Sequence, residues 1–572
     1  MNSLIIIVGA GLLYIIAYNT YGKYLGSKIF KLSAEAVCPS TELQDNVDFV
    51  PTKKSILFGH HFTSIAGTGP IIGPAVAIIW GWVPAMIWIL VGSIFMGAVH
   101  DFGAMVVSLR NQGRSIGDLA SDIINKRVRT LFLLIIFFEL WVVVAIFGVV
   151  IGAVFSIYPQ SVLPVWLEIP IAVWLGHMVY KKGGNHLKLS LIAVAVMYLT
   201  VVIGAYVPIK MPSVGPFDPI AMWVIVLLIY AYIASTLPVQ ALLQPRDYIN
   251  SHQLLIALGL LALGVLVAHP TMVAPAANFS PKGAPPIWPM LFVVIACGAI
   301  SGFHSLVSSG TSSKQCDAET SSLSIGYGGM LLEGMLATFV IVACGAGIAI
   351  GFAKGGETLT GVAAFNHHYG SWIGGTGLGN RLSAFIVGSA NMLESIGIPT
   401  KIAITIMGVF VASFAATTLD TATRLQRYIV GELATSLGQP LLAKKHPATL
   451  IAVISAFILA FYNGSGKGAL TLWPLFGSIN QLLAGLALLV VTIYLAHKKT
   501  PLIYTMLPMI FMLFMTGWAM LINLGNYYNS ANWLLFCIGL AVFILEIWMI
   551  IESAVILKKV YGEDMEAVTE LR

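Results

Sequence analysis

Fifteen long runs of apolar residues follow one another along the chain, and they constrain its fold more than any other feature. A helix needs about 20 mostly apolar residues to cross the hydrocarbon core of a bilayer. Only 9% of the residues are charged, so the chain has too few polar side chains to face water on all sides. The sequence therefore predicts an all-α integral membrane protein of about 15 transmembrane helices, over 3–22, 57–79, 83–109, 128–157, 162–180, 187–207, 219–240, 252–270, 287–312, 327–351, 400–430, 448–463, 469–496, 502–523 and 532–557.

The basic residues indicate how these runs are oriented. Lysine and arginine concentrate in cytoplasmic loops. With the N-terminus outside and one crossing per run, most basic residues fall in inside loops, Arg246 among them, and the C-terminus lies inside. This holds only if 362–398, which carries two histidines, Arg381 and Glu394, does not cross. We therefore predict a re-entrant lid on the outer face there; the alternative, with 381–397 as a sixteenth span, would invert every later loop.

The second apolar run contains helix-breaking residues. It opens with GHHFTSIAGTGPIIGP, which places Gly67, Gly69, Pro70, Gly73 and Pro74 within eight positions. A continuous helix does not tolerate that density of glycine and proline. The sequence therefore predicts a helix that is broken near residues 66–69.

The ninth run ends with a related motif, GFHSLVSSGTSS. Aligning Gly59 with Gly302 also pairs His61 with His304 and Thr68 with Thr311. Seven predicted crossings separate the two runs, so they point in opposite directions through the membrane. Two broken helices in inverted halves are typical of a transporter with its binding site near the bilayer midplane. The alternative is a pair of kinked, glycine-rich packing seams.

Broken helices free backbone groups that lipid cannot satisfy, and these groups can bind a solute or an ion. Freed N–H groups at a half-helix N-terminus attract a carboxylate, whereas freed carbonyls attract a cation. We therefore predict a substrate site built from residues of both motifs: His60, His61, Ala66, Gly67, Thr68, Gly69, His304, Ser308, Ser309, Gly310 and Thr311.

Charged and titratable groups inside a bilayer are costly and usually mark function. The candidates for ion or proton coupling are His100, Asp101, Glu139, Glu333 and Asp420. The alternative for each acid is a satisfied interhelical hydrogen bond or ion pair. His100 and Asp101 adjoin on one helix, so we expect them to face different ways and not to pair. Glu546 lies in a late helix and is expected to be structural.

A sodium site is a further prediction. The Phe414 carbonyl, Thr417 and Thr418 share one helical face, and carbonyls of Ala66 and Gly69 at the first break would complete an oxygen cage. The alternative is that the hydroxyls bond back to their own helix. The chain shows neither zinc-ligand spacing at its HHF motif nor a Walker A or hydrolase motif. We therefore expect no enzyme and no cofactor, apart from Na⁺ or H⁺ as the coupling ion.

Several long blocks resemble the carbon starvation protein A (CstA) family. They include DNVDFVPTKKSILFGHHFTSIAGTGPIIGP, MGAVHDFGAM, VQALLQPRDYIN, GFHSLVSSGTSSKQ, GYGGMLLEGMLA, TTLDTATRLQRY and WPLFGSINQLLAGLAL, spread over about residues 45 to 495. The resemblance implies a transporter of the bacterial cytoplasmic membrane, induced when carbon is scarce, that takes up peptides or, in some members, pyruvate. It also implies the LeuT-type inverted five-helix repeat. Thr417 and Thr418 fall where LeuT-type sodium symporters place their sodium-site hydroxyls, while other members of the family are thought to use protons.

With this repeat, the chain is expected to divide into 1–56 (N-terminal helix and cytoplasmic loop), 57–207 (first repeat), 208–286 (inserted helix pair), 287–496 (second repeat with the lid) and 497–572 (two C-terminal helices and a tail). The leading hypothesis is an ion-coupled symporter for short peptides, with a pyruvate or small-carboxylate symporter as runner-up. A peptide needs an acid for its ammonium group, and Asp101 or Glu333 would serve if either faces the cavity. If neither does, the monocarboxylate is favoured. A channel or a nutrient sensor is the alternative of another class.

Overall fold

The structure, a computed structural model, describes residues 1–372 and 377–570, with side chains up to residue 558. It is 77% helical, which confirms the all-α prediction. The α-helices are α1 Ser3–Ala17, α2 Pro39–Glu42, α3 Lys54–Ile65, α4 Gly69–Ala77, α5 Trp82–Gly92, α6 Ala98–Leu109, α7 Ile116–Ile123, α8 Lys126–Ile157, α9 Val162–Gly176, α10 His186–Tyr206, α11 Pro219–Thr236, α12 Leu243–Ala268, α13 Ile287–Val294, α14 Gly302–Val307, α15 Gly328–Val342, α16 Gly361–Tyr369, α17 Leu378–Glu394, α18 Thr400–Ser436, α19 Lys445–Phe461, α20 Trp473–His497, α21 Ile503–Asn529 and α22 Trp533–Glu570.

Short π-helical and 3₁₀ segments prolong several of these helices. The π segments are Tyr18–Gly22, Leu25–Ile29, Ser93–Gly97, His177–Lys181, Ser308–Ser312, Leu323–Tyr327 and Ala343–Gly347. The 3₁₀ segments are Ile78–Trp80, Pro159–Ser161, Glu319–Ser321, Ile348–Ile350 and Gly468–Leu472. The strands β1 Phe352–Lys354 and β2 Glu357–Leu359 pair antiparallel and lead from α15 to α16.

Twelve helical stretches in the described part of the chain are long and apolar enough to cross a membrane. The other three predicted runs differ for identifiable reasons. The run 57–79 is the pair α3 and α4, bent by 45°. The run 287–312 is interrupted, and 448–463 corresponds to α19, which has 17 residues. Every predicted run therefore contains helix. The three runs that are not single membrane-length helices are the two broken helices and the short α19.

The first broken helix, α3 with α4, breaks where the sequence predicts. Ala66 leaves the helical region with ψ 42°, and α4 restarts at Gly69 with a proline in its first turn. Proline suits this position because its missing N–H has no partner at a helix start anyway. Close packing on both sides of the break explains the glycines: a Cβ on Gly67 would press on Thr418, and one on Gly69 would press on Cys297.

The second broken helix, α13 with α14, corrects our prediction of where its break lies. Residues 295–301 are non-helical, whereas the GFHSLVSSGTSS motif is helical and continues α14 through Ser308–Ser312. The serines are compatible with this helix because the hydroxyls of Ser305, Ser309 and Ser313 donate hydrogen bonds to carbonyls of the same helix. Gly310 serves close packing, since a Cβ there would collide with Leu425.

Within the described residues, the predicted lid stretch contains the helices α16 and α17. Neither is among the candidate spans. Helix α17 is fixed to the end of α15, because Asn391 donates to the carbonyls of Gly347 at 2.9 Å and Gly351 at 2.7 Å. That the stretch stays on the outer face remains a prediction from the charge pattern. Residues 373–376, within the predicted lid, lie outside the described residues.

Candidate functional site

A cavity of about 750 Å³ lies where the two broken helices meet. Thr68 and Gly69 contribute from the first break, and Ala296 and Cys297 from the second. Trp372 and Arg381, from the stretch predicted to be a lid, also line it. The remaining lining residues are Ile72, Gly73, Val76, Phe147, Gly283, Ala284, Pro285, Met290, Val293, Val294, Leu378, Leu470, Trp473, Pro474, Phe476, Gly477, Asn523, Asn526 and Tyr527.

One charged side chain lines this cavity among the described residues, and it is Arg381. Its guanidinium lies 5.5 Å from the ring centroid of Trp473, and it forms no ion pair with a described carboxylate. Burial lowers the pKa of Arg381 to about 10, so it stays cationic at neutral pH. The lining is otherwise mostly apolar, with a few amide and hydroxyl groups, as is typical of small-molecule sites.

The structure brings four of the predicted residues together beside the cavity, outside its lining. Asp101 lies between two histidines: its carboxylate oxygens are 2.7 Å from His100 Nδ1 and 3.1 Å from His304 Nδ1. Glu333 accepts the backbone N–H of Gly298 at 3.1 Å. Both acids are fully buried. Our expectation that His100 and Asp101 do not pair is wrong. The Asp101 carboxylate contacts both the adjacent His100 and His304 on α14.

His60 and His61 connect the two broken helices to each other. We call the part of each broken helix that carries these motifs its inner arm: α3 in the first, and residues 302–312 in the second. His60 Nδ1 contacts the carboxylate of Asp247, and His60 Nε2 is 3.1 Å from the hydroxyl of Thr311. His61 Nδ1 is 2.8 Å from the hydroxyl of Ser312. None of these side chains lines the cavity. Within the predicted substrate set, Thr68 and Gly69 line the cavity. The residues of the set that do not line it include the three histidines, Ser308, Ser309, Gly310 and Thr311.

The predicted sodium-site residues separate into two groups. The Thr418 hydroxyl lies against the first break and donates to the Ser64 carbonyl at 3.2 Å. Thr417 faces α12 instead and accepts from Asn250 at 2.9 Å. Ser64 and Thr421 add hydroxyls that are 3.1 Å apart. Several oxygen atoms therefore cluster beside residues 64–67, while Gly69 faces the opposite broken helix.

A buried ion cluster, which we missed in the sequence, surrounds Asp420. Arg246 contacts its carboxylate and lies 3.4 Å from Glu168, while the Tyr230 hydroxyl donates to Asp420 at 2.8 Å. Our assignment of Arg246 to a cytoplasmic loop is wrong, because α12 begins at Leu243 and encloses it. The signal was available, since PRDYIN directly precedes an apolar run. Glu139 is buried with no described hydrogen-bond partner.

Comparison with known proteins decides the family. Residues 2–519 match the family described as carbon starvation protein CstA. The chain belongs to the CstA family.

Curated relatives in the CstA family are named as transporters. The chain is 33% identical to "Peptide transporter CstA" of Campylobacter jejuni over 558 residues, covering 90% of this chain and 79% of that protein. It is 30% identical to "Pyruvate/proton symporter BtsT" of Escherichia coli over 587 residues, covering 91% and 81%. This chain is therefore a multi-pass membrane transporter of the CstA family.

A solved structure shows that the fold is shared more widely than the family. A crystal structure of a mutant manganese transporter from Eremococcus coleocola aligns with a TM-score of 0.52 at 12% sequence identity, covering 91% of this chain and 99% of that one. Likeness at this identity concerns the fold alone. The chain therefore shares its overall fold with that protein.

Proposed function

We propose that this protein is a secondary active transporter that imports a carboxylate-bearing nutrient, and that a small monocarboxylate such as pyruvate is its best-fitting solute. The observation that carries the proposal is the charge of the cavity. Among the described lining residues Arg381 is the one ion, and no carboxylate lines the wall. Asp101 and Glu333, which would hold the ammonium group of a peptide, are enclosed by protein instead.

The first break supplies a second group for a carboxylate. Helix α4 begins at Gly69, and Thr68 and Gly69 both line the cavity. The first N–H groups of a helix have no intrahelical partner and carry the positive end of its dipole. A carboxylate between this N-terminus and the guanidinium of Arg381 would therefore be stabilised from both sides.

A short peptide is the second candidate, and two observations favour it. A cavity of about 750 Å³ is ample for a solute larger than pyruvate, because ligand pockets for drug-sized molecules span about 300–1,000 Å³. The C-terminal end of α13 also reaches the cavity through Val293 and Val294. Carbonyls at a helix C-terminus attract a cation, so they would receive a peptide ammonium group without any acidic side chain.

Coupling to an ion gradient and alternating access complete the proposal. The cluster of oxygen atoms at Ser64 and Thr418 favours a metal cation such as sodium, whereas the relative BtsT is named as a pyruvate/proton symporter. The expected setting is the bacterial cytoplasmic membrane during carbon scarcity, with the N-terminus outside. We propose that the solute crosses the membrane without chemical change and that the protein has no enzymatic activity.

Uptake into proteoliposomes tests the solute and the coupling together. Labelled pyruvate and a labelled dipeptide would be offered to the purified protein under a proton gradient and, separately, under a sodium gradient. We expect gradient-driven accumulation of pyruvate. Accumulation of the dipeptide alone would transfer the proposal to the second candidate. Failure of both gradients to concentrate any carboxylate solute would overturn it, and equilibration without accumulation would indicate a channel.

Substitution of Arg381 tests the anion site itself. Losing a charge-assisted contact of about 1.5–3 kcal/mol corresponds to a roughly 10- to 100-fold rise in KM for Arg381→Ala. Arg381→Lys keeps the charge and should recover part of the affinity. Lys354→Ala is the matched control, because Lys354 lies on the exposed hairpin. An unchanged KM in Arg381→Ala would remove Arg381 from the substrate site.

A further inference from the structure

Three side chains with different metal-binding chemistry converge behind the cavity wall. Cys297 lies in the second break, His304 on α14 and Glu333 on α15. The Cys297 Sγ, one ring nitrogen of His304 and one carboxylate oxygen of Glu333 lie within 4.8 Å of one another. A thiol, an imidazole and a carboxylate are the three side-chain ligand types that zinc uses in proteins.

Two of these ligand atoms form no hydrogen bond in the described structure. His304 Nε2 and Glu333 Oε2 are buried without a hydrogen-bond partner, and they are 3.4 Å apart. Buried polar atoms are normally paired, so unpaired ones that converge on one point require an explanation. A cation between them satisfies both atoms at once.

The remaining atoms of the same side chains are already held in place. Asp101 contacts His304 Nδ1 at 3.1 Å, and His100 contacts the other oxygen of Asp101. A carboxylate on the distal nitrogen orients a ligating histidine and fixes the tautomer that presents Nε2 to a metal. The second oxygen of Glu333 accepts the Gly298 N–H. Two of the three ligands, His304 and Glu333, are therefore oriented before any ion arrives.

The alternative occupant is a proton, with His304 as an imidazolium between two carboxylates. That arrangement accounts for His304 and Glu333 and leaves Cys297 only a hydrogen bond to His304. It also leaves the Nε2 to Oε2 distance longer than the 2.7–2.9 Å typical of a charge-assisted hydrogen bond. A metal ion accounts for all three ligands, because thiolate and imidazole together favour zinc-like ions over magnesium or calcium.

We propose that Cys297, His304 and Glu333 form a binding site for one divalent ion of the zinc class. The Cys297 thiol releases its proton to the cavity when the ion binds, and the ion is held by thiolate sulfur, His304 Nε2 and Glu333 Oε2. Because Cys297 also lines the cavity, the fourth coordination position faces the solute path, and the ion arrives by that route.

Binding at this site has a mechanical consequence. Cys297 and His304 lie in and after the break at residues 295–301, and Glu333 belongs to a different helix. An ion held by all three ties the break and the inner arm of the second broken helix to α15. Since alternating access requires broken helices to move relative to their neighbours, occupancy stops transport. The site is independent of which solute the protein carries.

Zinc titration of the full-length protein in nanodiscs tests the binding claim. We expect one Zn²⁺ per chain by calorimetry and a thiolate-to-metal charge-transfer band when Co²⁺ replaces zinc. Cys297→Ser and Glu333→Gln should each weaken binding by about 10- to 100-fold or more, and Cys297→Ser should abolish the band. Cys344→Ser is the matched control, because Cys344 is also a buried thiol but lies outside the cluster. Thermal unfolding confirms that each variant is folded.

Two outcomes would overturn the site. One is the absence of zinc binding by the folded wild-type protein at micromolar concentrations. The other is a zinc affinity in Cys297→Ser equal to that of the wild type, which would locate the ion elsewhere. For the transport claim, uptake with and without Zn²⁺ is compared within each variant. We expect inhibition in the wild type and in Cys344→Ser, and none in Cys297→Ser; equal inhibition in all three would contradict the proposal.

Discussion

The two broken helices use the same parts in different surroundings. Each inner arm carries a histidine that faces an acid on another helix: His60 faces Asp247 in the first, and His304 faces Asp101 in the second. The breaks themselves differ. The first is short and lies against the Thr418 hydroxyl, whereas the second spans residues 295–301 and is bound by the Glu333 carboxylate. Both arms therefore have a histidine–acid contact, although the histidine aligned with His304 is His61 and not His60, and the two breaks differ in length and surroundings.

The aligned glycines Gly59 and Gly302 show the largest difference between the arms. A Cβ on Gly302 would collide with the backbone of α20 at Asn480 and Ala484, which cannot move away. A Cβ on Gly59 would meet the Ser251 side chain at 2.7 Å and Tyr248 at 3.2 Å, which can rotate. We expect Gly302→Ala to cost about 3 kcal/mol or more and Gly59→Ala about 1 kcal/mol. Thermal unfolding in detergent measures both, and equal shifts would contradict this contrast.

Removing the two anchoring acids gives the next largest effect. Asp101→Ala strands the Nδ1 atoms of His100 and His304, whereas Asp247→Ala leaves one such atom on His60. A buried group left unsatisfied costs about 1–3 kcal/mol. We therefore expect Asp101→Ala to destabilise the protein about twice as much as Asp247→Ala. The same unfolding assay compares them, and a larger loss from Asp247→Ala would reverse our ranking of the arms.

An ion-paired contact near the ends of both arms should make stability depend on pH. Asp48 precedes the first arm and contacts Arg424 at 2.8 Å and Arg427 at 3.1 Å. The Val50 N–H donates to the carbonyl of Lys314, which follows the second arm. Burial raises the pKa of Asp48, but Arg424 and Arg427, together with a hydrogen bond from Tyr428 and the charge of Lys314, hold this pKa below its usual value.

Because the folded pKa of Asp48 is depressed, its contribution is present above the unfolded pKa of about 3.9 and is lost as the pH falls through the folded value. We expect Asp48→Asn to cost about 1.5 kcal/mol at pH 7. The gap between the variant and the wild type should close below about pH 4. Unfolding midpoints from pH 7 to pH 3 measure this, and a gap that is constant with pH would exclude the ion pair as the cause.

The smallest effect on stability is expected at the first break, where two neighbouring threonines provide a matched pair. Thr418→Ala removes the hydroxyl beside residues 64–67, and Thr417→Ala removes one that faces Asn250. Each should cost about 1 kcal/mol. If sodium drives uptake, we expect Thr418→Ala to abolish the sodium dependence and Thr417→Ala to retain it. Sodium dependence that survives in a folded Thr418→Ala variant would exclude a sodium site at the Thr418 hydroxyl.

The sequence predicted the helices and the first break well, because both depend on local chemistry. The length of an apolar run determines whether a helix can span the membrane. Pro70 and its neighbouring glycines interrupt a helix whatever packs around it. The second break could not be located, since CGAIS carries no proline and the serine-rich motif after it remains helical by bonding to its own carbonyls. Long-range pairs were also out of reach: nothing local indicates that Arg246 meets Asp420 or that Cys297 approaches Glu333.

The position of Arg381 on α17 has a consequence for how a transport cycle is timed. Arg381 lies on α17, in the stretch that we predict to be a lid, and not on the broken helices. Under our proposal, a carboxylate solute bound to this guanidinium would draw the predicted lid over the cavity. Recognition and sealing become one event, so a neutral analogue of the right size would enter the cavity and leave again without being carried across.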